Sequence, residues 1–189
     1  MRTRLSSHAL LAVALLFSAV AGATTIIPAA DPGELALDSQ AVFLARAGAS
    51  TVERRSGYVS TVTSLEVLSV VKGNMESGDR VEVVAPGGEK NGSGWAVAGS
   101  PRLAEGEVYL FFADRSRDGQ WQPRLLADSV LQRAAGKNGS AILVPVPEST
   151  QIERMSGFGP NAALVPAPVD EKQFLDALAH RIQGEPGWE

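Results

Sequence analysis

The sequence predicts a mainly β fold, a small β-barrel with one C-terminal α-helix. Two observations lead to this fold class. Short runs rich in Val, Thr and aromatic residues recur over residues 41–147, and Gly- and Asn-containing turns separate them. A single convincing helical pattern with capping signals follows at residues 170–183. Strands joined by short turns are typical of small all-β barrels, on which a terminal helix packs.

Residues 1–23 are predicted to be a cleavable export signal. Arg2 and Arg4 give a positively charged start, the apolar run Ala9–Phe17 follows, and small residues up to Ala23 suit a signal peptidase. The run is shorter than the roughly 20 apolar residues that cross a bilayer. We therefore expect cleavage after Ala23 and a secreted or periplasmic protein. An uncleaved N-terminal anchor is the alternative.

Composition limits the possible chemistry. Removal of the signal from the 189-residue chain leaves 166 residues, of which 21 are acidic and 15 basic, for a net charge of −6. Because basic residues are not clustered, we expect no nucleic-acid partner. No stretch after the signal is long and apolar enough to span a membrane, so we expect no stable membrane insertion after signal removal. Cys is absent, and His180 is the one His outside the signal. Thiol nucleophiles and thiolate metal sites are thereby excluded, and no metal or cofactor is predicted.

The first strand is expected at Ala41–Ala47, after an extended lead-in over residues 24–40. A longer strand is expected over Tyr58–Val71. Its apolar face changes between Val67 and Leu68, because side chains alternate with period two. A bulge or bend at that point would let both halves face one core, as small barrels need at their corners. The alternative is a straight strand buried on both faces.

Further strands are predicted where apolar runs lie between turn residues, at Val81–Val83, Trp95–Val97, Val108–Ala113, Trp121–Leu126, Val130–Leu131 and Ala141–Val144. Glycines between Gly87 and Gly99 predict a mobile loop, with a role in recognition. This loop lacks the order of a phosphate-binding motif.

The chain after the barrel is expected to be irregular over residues 148–169. The helix then begins after Asp170, a good N-cap, and Gln173 three positions later completes a capping-box pattern. Gly184 supplies the stop signal. We expect this helix to pack on the sheet or to cover one end of the barrel.

Several short segments occur in an order that resembles exported bacterial domains of unknown function. These segments are Ala41–Arg46, Ser64–Gly73, Val81–Gly88 and Gly106–Phe112. The same order is distantly similar to the netrin-like modules of metalloproteinase inhibitors, which are OB-type barrels, and the resemblance covers about residues 41–147. It implies an OB-like barrel. Those inhibitors rely on cysteines, including an N-terminal Cys that meets the protease zinc. This chain has none, so the resemblance supports the fold and not inhibition by that route.

The scarcity of catalytic side chains favours a non-enzymatic binding module for a protein or polysaccharide partner. Trp95, in the glycine-rich loop, and Trp121 are the candidate binding residues, because exposed aromatic side chains often anchor partners. The alternative is that both are core residues.

Two other functions stay open at this point. A hydrolase could use carboxylates alone, and the candidates are Glu105, Glu107, Asp114 and Asp118. A secreted protease inhibitor is the other possibility. The segment from Asp114 to Gly119 also resembles the start of a calcium loop but lacks its downstream Glu, so a plain hairpin turn is favoured.

Overall fold

The computed structural model describes residues 31–55, 58–90, 93–146 and 168–184. The elements, in chain order, are helix α1 (Pro32–Asp38), strands β1 (Ala41–Arg55), β2 (Tyr58–Lys72), β3 (Arg80–Pro86), β4 (Gly88–Lys90), β5 (Ser93–Trp95), β6 (Val108–Arg115) and β7 (Trp121–Pro123), a 3-10 helix (Leu126–Ser129), strands β8 (Val130–Ala135), β9 (Ala141–Pro145) and β10 (Val169–Asp170), and helix α2 (Glu171–Ile182). The predicted mainly β class with a C-terminal helix is confirmed. The predicted export signal lies outside the described residues.

Five strands pair in a ring. Strand β1 pairs with β2 and β6, β2 pairs with β3, and β7 pairs with both β3 and β6. All of these pairs are antiparallel except β3–β7, which is parallel and joined through Val83 and Trp121 alone. This is the arrangement of a small, partly open barrel. Strands β8, β9 and β10 extend the sheet from β6.

The core has two layers, one on each face of β1 and β6. Within β1, Phe43 and Ala45 pack in the first cluster, inside the ring, and Val42 and Leu44 pack in the second. Both helices contribute to the second cluster, which includes Leu35, Ala36, Leu110, Phe112, Leu143, Phe174 and Leu178. Helix α2 therefore packs on the outer face of the sheet, one of the two predicted positions.

The predicted irregularity in β2 is confirmed, but its predicted consequence is wrong in part. The pairing with β1 shifts between Leu44 and Ala45, so that Leu68 is an extra residue in β2. Val70 packs against the first cluster, which contains Val67, whereas Leu68 packs against the second. Because Leu68 is an extra residue, Val70 faces the same cluster as Val67. The Leu68 side chain itself points to the opposite face of the sheet.

The lead-in is not wholly extended, because residues 32–38 form helix α1. The Asp31 side chain caps this helix by accepting a hydrogen bond from the Glu34 N–H at 3.0 Å. Pro32 occupies the first turn, a position where its missing N–H has no cost. Burial of Leu35 then stabilises a helix too short to persist alone. Residues 24–30 lie outside the described residues.

Helix α2 begins and ends as predicted. The Asp170 carboxylate accepts a hydrogen bond from the Gln173 N–H at 3.0 Å, and Gly184 adopts a left-handed φ of 82°. The segment predicted to be irregular ends in strand β10, where Val169 pairs with Leu143. Residues 147–167 lie outside the described residues. No helix in the described ranges is long and apolar enough to cross a membrane.

Candidate binding site

The two predicted contact tryptophans have opposite environments. Trp121 is only 7% exposed, and its ring lies 6.3 Å from that of Phe43 in the barrel core. The guanidinium carbon of Arg115 lies 4.2 Å from the Trp121 ring centroid, over its outer face. The expectation of an exposed aromatic at residue 121 is therefore wrong: strand β7 turns this side chain into the core. Trp95 is 54% exposed and keeps the accessibility that a contact residue needs.

A second exposed aromatic residue lies beside Trp95. Tyr58, the first residue of β2, is 65% exposed, and its ring centroid lies 6.4 Å from that of Trp95 with the planes inclined by 37°. The other aromatic side chains of the described residues are all buried: Phe43, Tyr109, Phe111, Phe112, Trp121 and Phe174. The two exposed rings are thus neighbours, and we call them the aromatic pair. Sequence reasoning missed Tyr58, because nothing in its local pattern says which distant residue it adjoins.

The glycine-rich segment forms a β-hairpin, β4–β5, that lies against the β1–β2 hairpin. The Gly87 N–H donates to the Val59 carbonyl at 2.8 Å, and the Thr61 hydroxyl donates to the Gly87 carbonyl at 2.8 Å. A Cβ at Gly88 would lie 2.6 Å from the Thr61 hydroxyl and 2.9 Å from a Val52 methyl. The Thr61 and Val52 side chains approach the Gly88 backbone so closely that only glycine fits. This packing brings Trp95 beside Tyr58.

A cleft of about 580 Å³ opens next to Trp95. Three glycines and two prolines contribute to its lining, so main-chain groups form much of the wall. Its other side chains include Thr61, Glu89, Trp95, Val97, Ser100 and Arg102.

The far wall of the cleft is fixed by hydrogen bonds. The Ser100 hydroxyl donates to the Pro86 carbonyl at 2.7 Å, which joins the segment after β5 to the end of β3. The Ala127 N–H donates to the Gly99 carbonyl at 2.8 Å and joins the same segment to the 3-10 helix. The cleft therefore has one wall braced on the barrel and one wall formed by the β4–β5 hairpin.

The four candidate catalytic carboxylates do not meet in this cleft. Glu105 and Glu107 precede β6, whereas Asp114 and Asp118 lie at and beyond its other end. Six residues of extended chain lie between Glu107 and Asp114, a span of roughly 20 Å at the usual strand rise.

Asp114 has a structural partner on each oxygen. It accepts hydrogen bonds from the Gln40 N–H at 2.9 Å and from the Arg124 guanidinium at 2.6 Å. Among the described residues, no group of three His, Cys, Asp or Glu side chains could hold a metal ion.

No protein-family model matches the chain, and no curated protein matches it. The resemblance to exported domains of unknown function and to netrin-like modules therefore stays a prediction.

Proposed function

We propose that the protein is a non-enzymatic binding module that holds a protein or polysaccharide partner in the cleft beside Trp95. The aromatic pair is the observation that carries this proposal. Two large rings left in solvent, while six others in the described residues are buried, leave apolar surface that a partner could cover. Trp and Tyr are also the residue types that most often anchor partners, because a rigid ring gives a large contact area at low entropic cost.

The composition of the cleft favours binding over catalysis. A carboxylate hydrolase needs two carboxyl groups in one concave site, one to donate a proton and one to act as base or nucleophile. Among the described residues of the lining, Glu89 is the one carboxylate. The two hydroxyl groups of the lining, those of Thr61 and Ser100, donate hydrogen bonds to main-chain carbonyls and not to a general base.

A comparison of variants tests whether the cleft binds a partner. Protein produced from the full-length chain in a bacterial host is immobilised and exposed to the host's extracytoplasmic fraction. The double variant Y58A/W95A is treated in parallel, with L37A as the matched control because Leu37 is an exposed apolar residue outside the cleft lining. We expect wild type and L37A to retain the same protein or carbohydrate, and the double variant to lose it. Equal retention by all three would overturn the proposal.

We also propose that this module acts outside the cytoplasm, as a secreted or periplasmic protein. The basic start, the apolar run and the small residues up to Ala23 support this location. Mass spectrometry of the accumulated protein should give an N-terminus at Thr24. A full-length N-terminus in the cytoplasmic fraction would contradict export.

A further inference from the structure

The aromatic pair and the cleft differ in polarity, and this difference restricts the ligand. The rings of Tyr58 and Trp95 are apolar and exposed, but more than half of the residues that line the cleft beside them are polar or glycine, whose main chain is accessible. These residues are Thr61, Gly87, Gly88, Glu89, Gly94, Ser100 and Arg102. A pocket for an apolar peptide side chain would be lined mainly by hydrophobic residues. A ligand that suits this site has flat apolar faces and many hydroxyl groups along its edges.

The formal charges at the cleft cancel. Glu89 and Arg102 are the charged side chains of its described lining, one acidic and one basic. The whole chain is acidic, with a net charge of −4. Single-stranded nucleic acid, which also stacks on aromatic rings, needs a positively charged groove along its backbone. An uncharged ligand therefore fits better than an anionic one.

We propose that the ligand is an uncharged oligosaccharide or polysaccharide chain, held by stacking of its sugar rings on Tyr58 and Trp95. The C–H faces of a pyranose ring pack against an aromatic ring, and its hydroxyl groups donate and accept hydrogen bonds at the edges. The 6.4 Å between the two ring centroids lets neighbouring sugars of one chain contact one aromatic ring each. Main-chain groups at Gly87, Gly88 and Gly94 line the adjacent cleft, where hydroxyl groups would lie.

The close packing of the β4–β5 hairpin indicates that the site is already formed before a ligand binds. A Cβ at Gly94 would lie 2.6 Å from the Gly88 carbonyl oxygen, and a Cβ at Gly87 would lie 2.6 Å from the Trp95 carbonyl oxygen. The backbone on both sides of Trp95 is thus closely packed. A rigid platform loses little conformational entropy when a ligand binds.

This inference rests on the proposed function, and titration with defined sugars tests it. Cellohexaose, chitohexaose and maltohexaose are the uncharged probes, and oligogalacturonate of the same length is the anionic probe. Binding is followed by calorimetry and by Trp fluorescence, because burial of Trp95 shifts its emission to shorter wavelength. We expect at least one uncharged probe to bind and the anionic probe to bind more weakly.

Variants assign the binding to the aromatic pair. Y58A/W95A should bind the sugar at least about tenfold more weakly, the loss expected for an aromatic anchor, while Y58F/W95F and L37A should bind as wild type does. Each variant should remain folded, because both aromatic side chains are exposed. Circular dichroism checks this.

Two outcomes overturn the inference and differ in what they leave standing. If no uncharged sugar binds but a protein from the extracytoplasmic fraction is retained through Tyr58 and Trp95, the ligand class is wrong and the binding function stands. If sugar binds equally well to the double variant, the site is wrong for both proposals.

Discussion

Arg133 of β8 and Glu171 of α2 form a two-point ion pair that joins the C-terminal helix to the sheet. The guanidinium donates through Nε and through a terminal nitrogen to the two carboxylate oxygens. The Glu171 side chain is 11% exposed and that of Arg133 is 35% exposed. Planar, paired hydrogen bonds of this kind are the strongest that a guanidinium makes with a carboxylate.

Removal of Arg133 should therefore destabilise the protein. R133A leaves the largely buried Glu171 carboxylate without its cation, and we expect the free energy of unfolding to fall by about 1.5–3 kcal/mol, the range for hydrogen bonds to charged groups. R133K should be intermediate, because lysine keeps the charge and loses the paired geometry. Urea unfolding measures both. The control is K172A, which breaks the exposed Lys172–Asp176 pair and should leave stability unchanged. Equal losses of unfolding free energy in R133A and K172A would mean that the Arg133–Glu171 pair does not stabilise the protein.

Replacement of Gly88 should loosen the β4–β5 hairpin. G88A places a methyl group 2.6 Å from the Thr61 hydroxyl and forces a residue with a side chain to a φ of 142°. We expect a loss of about 1–3 kcal/mol in unfolding free energy, together with faster hydrogen exchange in β4 and β5.

G78A is the matched control for that substitution. Gly78 also has a positive φ, 94°, but a Cβ there would meet nothing within 4 Å. The control therefore introduces backbone strain without a clash. Faster exchange in the hairpin should follow G88A and not G78A, and the same exchange pattern in both variants would mean that the close approach does not hold the hairpin.

Local signals predicted some elements well and others poorly. The cap at Asp170 and the stop at Gly184 flank the helix they bound, so the local sequence suffices to place α2. The bulge at Leu68 follows from the alternation of its own neighbours. Helix α1 was missed because Asp31 and Pro32 begin turns as readily as helices, and burial of distant residues decides between them.

The candidate site was harder to predict for the same reason. Whether a tryptophan is exposed depends on which face of its strand meets the core, and the short strands around residues 95 and 121 do not settle this. The neighbour of Trp95, at the end of β5, is Tyr58 at the start of β2, so the two residues are far apart in the sequence. That contact depends on the close packing at Gly88, a tertiary relationship that one glycine in the sequence does not reveal.

The two tryptophans should respond differently to truncation. W121A removes a core ring in contact with Phe43 and should lower the free energy of unfolding by about 3–5 kcal/mol. W95A removes an exposed ring and should change it by less than about 0.5 kcal/mol. Thermal and urea unfolding of both variants measure the difference. A large loss of stability in W95A would assign Trp95 to the core and remove it from the binding site.

Tyr109 should make stability depend on pH in the alkaline range. Burial raises the pKa of its hydroxyl above the ordinary value of 10.0, and the negative charge of Glu107 adds to the shift, while the hydrogen bond from the Ala104 N–H opposes it. The hydroxyl therefore stays neutral in the folded state at a pH where it ionises in the unfolded chain. Its contribution to stability is fully present below pH 10 and is lost as the pH rises through the folded-state pKa.

Comparison with Y109F isolates this effect from the titration of other groups. The variant leaves the Ala104 N–H without its 2.8 Å acceptor, so it should be less stable than wild type at neutral pH by about 0.5–1.5 kcal/mol. Since phenylalanine does not ionise, the gap between wild type and variant should narrow as the pH rises above 10. Urea unfolding at pH 7, 9 and 11 measures the gap. A constant gap across this range would mean that Tyr109 ionises alike in the folded and unfolded states, against the effect of its burial.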